Sequence, residues 1–570
     1  MTLSQTLASN EATQGPFRWS QLDTAQAFAD FSDPFHPPIS QRQYAQEHAI
    51  PRSTLGDWLR RPDPPGVAKD VVRFFRSPAG LTFLRRLILA LLLIFHHQYG
   101  VGIRPLCEFL RLVELDHFVG SSYGSLQFLA SQVQAQLSAL GKEEGQRLAE
   151  LMAAKCIALV PDEHFHAGCP CLVAMEPVSG FILVEAYAQN RDSCTWSTLL
   201  TQATQDLPVT VVALTSDRAK ALIATASFFD AQYTPEIFHG MRDLSSPLIA
   251  AMQRRITPLE KELETATWIV EYWQHQQQRA SAQPPSSEQS VDFDRLIKQA
   301  TLRLATATTQ LESQQKEQQR AHDAVLGLAD DYHVFDANTG APVKAEPMQT
   351  RLDARLKTLE EVANQNDLGK ASEEALHKGK GWLTALVATV AWFWEMTERR
   401  VQEMSLPEEA EKAVYEKLMA GLYWEQAQRQ GRTAEQRQHR RQLAQRLLQE
   451  AWGAGSPLRA LTQEQQQQVQ RLAKELVGLF CRSSSCVEGR NGRLSLLQHG
   501  HTRLDPKQLK AQTVVHNYIA QRADGSTAAE RFFGVKQRDA FAWLLERLPE
   551  LPRPAARRPN PALKAPSARD

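Results

Sequence analysis

The stretch LVPDE at residues 159–163 ends an apolar, β-rich run with an aspartate, Asp162. The stretch VVALTSDR at residues 211–218 repeats this arrangement and places Asp217 where the apolar run stops. Open α/β sheets bind ligands beyond the ends of their strands, so both aspartates are predicted to line a site at the sheet edge. A third stretch, SCVEGRN at residues 485–491, adds Glu488 in the first turn of a predicted helix. Three such carboxylates offer the oxygen ligands that Mg²⁺ takes, and they suit phosphodiester chemistry.

Short β-rich segments surround the two aspartates. The predicted order is three strands, a helix, a strand, a helix and a strand, at residues 156–160, 171–175, 181–186, 195–204, 209–214, 218–226 and 234–239. This order is typical of a mixed α/β sheet, in which Asp162 and Asp217 fall at strand ends.

Strands disappear between residues 244 and 480, where segments rich in Gln, Glu, Ala and Leu predict long helices. Residues 256–277 and 293–326 are predicted to form an antiparallel helical pair, joined by a polar linker at 279–290. The insertion is expected to have its own core. The predicted fold class is therefore a mostly helical chain whose α/β domain is split by a large all-α insertion.

Residues 39–61 predict a helix-turn-helix. Ser40 caps the first helix, and Ser53 starts a second helix at 54–61. The residues predicted to meet base edges and phosphates are Arg52, Ser53, Thr54, Arg60 and Arg61. An ordinary helical hairpin is the alternative. A second, weaker helix-turn-helix pattern runs from residue 103 to about 133.

Length and composition set further bounds. A chain of 570 residues predicts several domains, and 64 basic against 64 acidic residues leave no global cationic field. Seven cysteines without a disulfide-like spacing fit a reducing compartment. The strongest apolar run, residues 87–95, is half the length needed to span a bilayer, so no membrane segment is expected. Residues 549–570 predict a disordered tail.

Each carboxylate also has a purely structural interpretation. Asp217 would serve as an N-cap for a helix beginning at Arg218, and Ser485 with Glu488 would form a capping box. Glu163 directly follows Asp162, so the metal-facing carboxylate is uncertain by one position, although strand alternation points only one of the two inward.

His164, His166, Cys169 and Cys171 together resemble a zinc ligand set. They straddle a strand end and the next strand, and they lack the usual two-residue gap between cysteines. The spacing therefore argues against zinc. The tryptophans of the insertion, at positions 268, 273, 382, 392, 394 and 424, are expected to pack mostly in helix cores, with base stacking as the alternative.

The chain resembles a DDE transposase of a bacterial insertion sequence, whose catalytic domain is ribonuclease-H-like and here carries a helical insertion. The resemblance covers roughly residues 155–243 and 480–535. It rests on Asp162, on Asp217 and on the block CVEGRNGR at 486–493, which is followed by His-Asn-Tyr at 516–518 and by the segment 524–533. The long gap between Asp217 and Glu488 fits the family only because the insertion fills it.

The resemblance implies metal-dependent DNA cleavage and strand transfer. Asp162 would bridge two Mg²⁺ ions, which Mn²⁺ can replace, while Asp217 and Glu488 would each hold one side. Arg490, Arg493 and Lys220 lie near these acids in sequence and are expected to meet DNA phosphates. The expected partners are double-stranded DNA, at transposon ends and target, and a second copy of the chain in a dimer on DNA. The expected location is the bacterial cytoplasm, in association with the nucleoid.

The predicted divisions are a helix-turn-helix region (1–66), a helical region with the second DNA-binding candidate (67–154), the first catalytic part (155–243), the helical insertion with a coiled-coil-like hairpin (244–480), the second catalytic part (481–548) and the tail (549–570). Two other functions fit the same residues. One is a non-catalytic helix-turn-helix DNA-binding regulator, and the other is a structure-specific nuclease on the same fold.

Overall fold

The computed structural model describes residues 19–32, 39–282, 291–499 and 504–554. Most of the predicted linker at 279–290 and of the predicted tail at 549–570 lies outside these ranges. The chain divides into two compact units, one made of residues 152–493 and the other of residues 1–151 and 494–570. The predicted boundary near 154 agrees with this division. The predicted second catalytic part does not, because only residues 481–493 of it belong with the sheet.

The described helices and strands confirm a mostly helical chain with a small mixed sheet. In chain order they are α1 (Gln21–Ser32), α2 (Gln41–Glu47), α3 (Arg52–Leu59), α4 (Lys69–Arg76), α5 (Pro78–Ala90), α6 (Ile103–Leu112), α7 (Tyr123–Leu151), β1 (Lys155–His166), β2 (Cys169–Glu176), β3 (Phe181–Tyr187), α8 (Ser193–Thr204), β4 (Val209–Ser216), α9 (Lys220–Phe228), β5 (Gln232–Pro235), α10 (Ile237–Ser281), α11 (Phe293–Asp331), α12 (Ala345–Gln365), α13 (Lys370–Gln402), α14 (Glu408–Ala413), α15 (Ala420–Ala427), α16 (Ala434–Trp452), α17 (Gln463–Leu479), α18 (Ser485–His499), α19 (Pro506–Tyr518), α20 (Ala528–Phe533) and α21 (Ala540–Arg547). Segments of π-helix follow α5 at Leu91–Gln98 and α14 at Val414–Met419.

The sheet has the strand order β3-β2-β1-β4-β5. β1 pairs antiparallel with β2, and β2 with β3, whereas β1 pairs parallel with β4, and β4 with β5. The predicted order of strands and helices is confirmed. Two predicted bounds are wrong. β1 continues past Asp162 to His166, and the last strand ends at Pro235, because Glu236 caps α10 instead of continuing the strand to residue 239.

The helical insertion shares one continuous core with the sheet. Ala158 of β1 and Ala213 of β4 are buried in the same cluster as Trp382, Trp394 and Trp424. The prediction that the insertion has its own core is therefore wrong. The contact between α10 and α13 is close, since a Cβ on Gly240 would lie 2.0 Å from the indole of Trp382. These three tryptophans do pack in the core, as expected.

The long helices α10 and α11 form the predicted antiparallel pair. Side-chain hydrogen bonds join Gln277 to Asp294 near one end and Gln318 to Gln253 near the other. The hairpin also leaves an aromatic pair exposed on α10. Trp268, which is 61 % exposed, stacks on Tyr272 with ring centroids 5.2 Å apart.

In the other unit, α1, α2 and α3 enclose a small core. Its buried members are Ala27, Tyr44, Ala45, Ile50, Leu55 and Trp58. Ser40 caps α2 as predicted, accepting the backbone N–H of Gln43 at 3.2 Å. α3 begins at Arg52, two residues before the predicted start, because Pro51 takes the N-cap position and Arg52 to Thr54 form the first turn.

One helical segment in the described part of the chain, Pro78–Gln98, is long and apolar enough to cross a membrane by length and composition. The core helix of a non-membrane protein passes the same test, so this segment is weak evidence for membrane insertion. Leu84, Ile88, Leu89 and Leu92 are fully buried against other parts of the protein.

None of the seven cysteines, all of which lie in the described ranges, forms a disulfide.

Candidate metal site at the sheet edge

The strand register brings Asp162 and Asp217 to the same level on neighbouring strands. Leu159 and Leu214 are the last paired residues of the parallel β1–β4 ladder, and each aspartate follows three residues later. Parallel strands present their carboxyl ends at one edge of a sheet. Asp162 lies where β1 leaves β4 while it stays paired with β2, opposite Val173. The predicted meeting of the two aspartates therefore arises from the register, although Asp162 is not at a strand end.

Asp162 and Glu163 point in opposite directions, as alternation along a strand requires. Asp162 Oδ2 accepts a hydrogen bond from Asn491 Nδ2 at 2.9 Å, and its Oδ1 accepts the backbone N–H of Glu163 at 2.8 Å. The carboxylate of Glu163 instead pairs with Arg191. Both residues are half-buried, but only Asp162 contacts α18, so the structure favours Asp162 as the metal-facing carboxylate.

Asp217 does not cap α9 as the structural interpretation expected. The N-cap of α9 is Ala219, and Asp217 Oδ1 accepts the Ala219 backbone N–H at 3.2 Å in the preceding turn. The hydroxyl of Tyr233 donates to the main-chain oxygen of Asp217 at 2.5 Å and lies 3.2 Å from that of Ser216. The exposed carboxylate of Asp217 is thus held at the end of β4 by its neighbours.

Glu488 also departs from its structural interpretation. Its Oε1 accepts the hydroxyl of Ser484 at 2.8 Å, and its backbone N–H donates to the Ser484 carbonyl at 3.1 Å. The predicted capping box with Ser485 is therefore wrong. Asn491, one turn beyond Glu488, is on the same side of α18, and it is Asn491 that reaches Asp162. Glu488 itself is exposed and remains available to a ligand.

The neighbouring acids act electrostatically on Asp162. Burial, as the largest cause, and the negative charges of Asp217 and Glu488 raise the pKa of Asp162 to about 6, while the Glu163 N–H and His239 act in the opposite direction. Effects of this kind arise between like charges in a partly desolvated place. Asp217 and Glu488, on two other segments of the chain, therefore lie within electrostatic range of Asp162.

Two further residues of this edge, Glu236 and His239, were not found by sequence reasoning. Glu236 Oε2 accepts the backbone N–H of His239 at 2.6 Å and lies 2.7 Å from its ring Nδ1. This hydrogen bond raises the pKa of His239, and the charge of Asp217 acts in the same direction. Glu236 is buried and is the N-cap of α10. The backbone N–H of Ser484, just before α18, donates to Glu236 Oε1 at 3.5 Å.

Arg490 does not fill the predicted role of a DNA phosphate contact. Its guanidinium forms two hydrogen bonds of 2.7 Å with the carboxylate of Glu185 on β3. The two side chains are 1 % and 0 % exposed, respectively. A buried bidentate pair of this kind fixes α18 on the sheet, so Arg490 holds Glu488 and Asn491 in place instead of meeting solvent.

The other predicted DNA contacts are accessible. Lys220 is exposed at the start of α9, and Arg493 is half-buried on α18. In the predicted helix-turn-helix, Arg52 and Ser53 are exposed and Thr54 is half-buried in the first turn of α3. Arg60 and Arg61 are exposed but follow the end of α3, where Arg61 lines a cavity of about 1150 Å³ together with Arg76 and Arg553. Burial lowers the pKa of Arg61, and the two neighbouring arginines lower it further.

The donor set fits a divalent cation with a preference for oxygen. Asn491 reaches Asp162 from α18, and its Oδ1 is buried without a hydrogen-bond partner among the described residues. A cation would offset the mutual repulsion of the acids and give this oxygen a partner. Among the described residues, the sheet edge thus offers Asp162, Asp217, Glu488 and Asn491 as ligands of the kind that Mg²⁺ accepts.

The Asp162→Asn variant is expected to be more stable than the wild type when metal is absent at neutral pH. The folded pKa of Asp162, about 6, lies above the ordinary unfolded value. Ionisation of Asp162 therefore lowers stability progressively between about pH 4 and pH 6, and the full loss is present above pH 6. A pKa shift of about two units corresponds to at most about 3 kcal/mol, so we expect the free energy of unfolding of Asp162→Asn to be roughly 1–3 kcal/mol higher. Urea unfolding in EDTA at pH 7 measures it.

The matched control for this measurement is Glu163→Gln, the neighbouring residue on the other face, whose stability should change little. Below pH 4 the advantage of Asp162→Asn should vanish. An Asp162→Asn protein that is less stable than the wild type in EDTA at pH 7 would contradict the proposed repulsion.

Comparisons with known proteins reach only the C-terminal part of the chain. Residues 414–560 match a family of unknown function, DUF6399. The match contains Glu488 and Asn491 but neither Asp162 nor Asp217, and it covers less than half of the chain. A comparison with curated proteins finds no match.

Proposed function

We propose that the chain is a DNA transposase of the DDE type, with a ribonuclease-H-like catalytic domain whose sheet is β1–β5. The observation that carries the proposal is the hydrogen bond from Asn491 of α18 to Asp162 of β1. It brings the helix of Glu488 beside the strand of Asp162, with Asp217, after β4, within electrostatic range. The resemblance places its three acids in this order, on the first strand, after the fourth strand and on a late helix. The strand order and the register of β1 with β4 support the same interpretation.

Asp162, Asp217 and Glu488 are the residues that would hold two Mg²⁺ ions. When bound, the pair of ions lowers the pKa of an attacking water or DNA 3′-hydroxyl and stabilises the leaving oxygen of an in-line displacement. The chain itself supplies the placement of the acids. Asn491 orients Asp162, Ser484 orients Glu488, and the buried Arg490–Glu185 pair keeps α18 on the sheet.

His239 supplies positive charge at the same edge. The raised pKa of its imidazole favours the protonated form, which suits a contact with a DNA phosphate beside the acids. Lys220 and Arg493 are the other cationic candidates for that role.

The helix-turn-helix of α2 and α3 would bind the transposon end in the DNA major groove. Two DNA ends must be held together for joining, which favours a dimer on DNA in the nucleoid.

The proposal is tested with a labelled DNA duplex that carries the element's end and with a precut version of the same duplex. A transposase is expected to nick the first in Mg²⁺ or Mn²⁺ and to join the second to a target. A nuclease would cut but not join, and a helix-turn-helix regulator would bind without either reaction. Binding without any metal-dependent strand cleavage would overturn the proposed function.

The arginines around α3 are expected to contribute phosphate contacts. Each of the Arg52→Ala and Arg60→Ala variants should weaken binding to the end duplex several-fold, and should lower the slope of log affinity against log salt by about 0.9. Fluorescence anisotropy over a salt series measures both. Arg73→Ala is the matched control, since Arg73 is an equally exposed arginine on α4, outside the motif. An unchanged slope in both variants would remove α3 from the DNA interface.

A further inference from the structure

Three metal-binding side chains meet on the face of the sheet that carries Asp162, and no step of the proposed reaction uses them. His164 and His166 occupy alternate positions on β1 after Asp162, so all three point to the same face. Cys171 on β2 lies directly opposite His164 in the antiparallel register. Directly opposed residues have Cβ atoms about 4.5–5.5 Å apart, so the pairing of two strands is enough to assemble the group.

The ligand atoms of His164, His166 and Cys171 all lie within 4.8 Å of one another. Ligands at about 2.0–2.3 Å from a tetrahedral zinc are separated from one another by about 3.3–3.8 Å. The difference of about 1 Å is within the reach of small side-chain rotations. The predicted argument against zinc used the sequence spacing of the cysteines, whereas the register of paired strands brings these three side chains together.

The surroundings of the cluster also point to a ligand. Both ring nitrogens of His164 are buried and have no hydrogen-bond partner within the part of the chain that the structure describes. Leaving such groups unpaired costs stability, and a metal bond removes that cost at one nitrogen. His166 and Cys171 are buried, and the hydroxyl of Tyr187 lies 2.8 Å from His166 Nδ1. A hydrogen bond at one ring nitrogen is how proteins orient a ligating histidine.

The charged side chains nearby do not add a net positive charge that would oppose the binding of a cation. Arg490 and Glu185 lie close to the cluster and neutralise each other. Imidazole and thiolate ligands select zinc over magnesium, whereas the carboxylates of Asp162, Asp217 and Glu488 have the opposite preference.

We propose that His164, His166 and Cys171 bind one zinc ion, which fastens β1 to β2 beyond the point where β1 leaves β4. Cys171 binds as the thiolate and releases its proton to solvent. The fourth position belongs to water or to the thiol of Cys169, which lies opposite His166. The ion would stiffen the strand segment that follows Asp162, and it is distinct from the magnesium pair of the proposed reaction.

The test uses the full-length protein, equilibrated with zinc in an excess of Mg²⁺ that occupies sites made only of oxygen. The wild type is expected to retain one zinc per chain, and a cobalt-loaded sample should show thiolate-to-cobalt charge-transfer absorption. Cys171→Ser and His164→Asn should each lower zinc affinity by at least about 100-fold. Cys194→Ser, which changes an exposed thiol on α8, is the matched control and should change neither measurement.

Zinc retained by Cys171→Ser with an unaltered cobalt spectrum, or a wild type that binds no zinc, would overturn the proposal. The folding of each variant is checked by a denaturant unfolding curve in EDTA. If Cys171→Ser does not fold, the test uses His164→Asn instead. The Asp162→Asn variant separates this site from the proposed function. It should keep its zinc and its cobalt spectrum whether or not magnesium-dependent cleavage exists.

Discussion

The Asp162→Asn variant is expected to cleave end DNA in Mg²⁺ at least about 10³-fold more slowly than the wild type. Under the proposed function, loss of a metal ligand would remove several kcal/mol of transition-state stabilisation, and each 1.36 kcal/mol corresponds to a factor of ten in rate. Asp217→Asn and Glu488→Gln should show losses of similar size. Single-turnover nicking of a labelled duplex measures the rate, and anisotropy shows that the duplex is still bound.

Glu163→Gln is the control for cleavage, because it changes an acid one residue away that faces the opposite side of β1 and pairs with Arg191. It should retain most of the wild-type rate. Equal rates for Asp162→Asn and the wild type would remove Asp162 from the reaction. A loss in Glu163→Gln with retention in Asp162→Asn would exchange the roles assigned to the two residues.

The Glu185→Ala variant is expected to destabilise the sheet unit by about 3–5 kcal/mol. It leaves the guanidinium of Arg490 buried without its carboxylate, and an uncompensated buried charge is costly. Because α18 carries Glu488 and Asn491, metal-dependent cleavage should fall as well. Denaturant unfolding of the variant measures the free energy of unfolding directly.

A double variant distinguishes charge from packing at this position. Glu185→Leu combined with Arg490→Met removes both charges and keeps the volume, so it should recover most of the lost stability. Glu262→Ala breaks the solvent-exposed pair with Arg303 on the α10–α11 hairpin and should change stability little. A Glu185→Ala protein as stable as the wild type would mean that the pair does not hold α18 on the sheet.

The order of strands and helices around the site could be predicted from sequence because each segment has a clear local pattern. Apolar β-rich runs ended at polar residues, and Ser40 marked the start of α2 by its own chemistry. The start of α3 was predicted two residues late, because Pro51 takes the N-cap position. Asp162, Asp217 and Glu488 were identifiable because each stands at a change of pattern. Bounds were harder to predict, since β1 continues past Asp162 through pairing with β2, which a single segment does not reveal.

Contacts between distant segments could not be predicted from local sequence patterns. The pairing of Arg490 with Glu185 depends on which helix face meets β3, so an arginine beside Glu488 looked like a phosphate contact. Asn491 stood in the quoted motif, but its partner Asp162 is known only from the fold. The meeting of His164 with Cys171 needed the strand register, and the single core shared by sheet and insertion needed the packing of α10 on α13.

The position of α18 after the insertion also sets the order in which the site is completed during synthesis. A ribosome adds about 5–20 residues per second, so the helices between β5 and α18 take on the order of tens of seconds to translate. A nascent chain that has reached α17 already has both aspartates but lacks Glu488, Asn491 and Arg490. Under the proposed function, truncated or unfinished chains would carry an incomplete acid set and would not cut DNA.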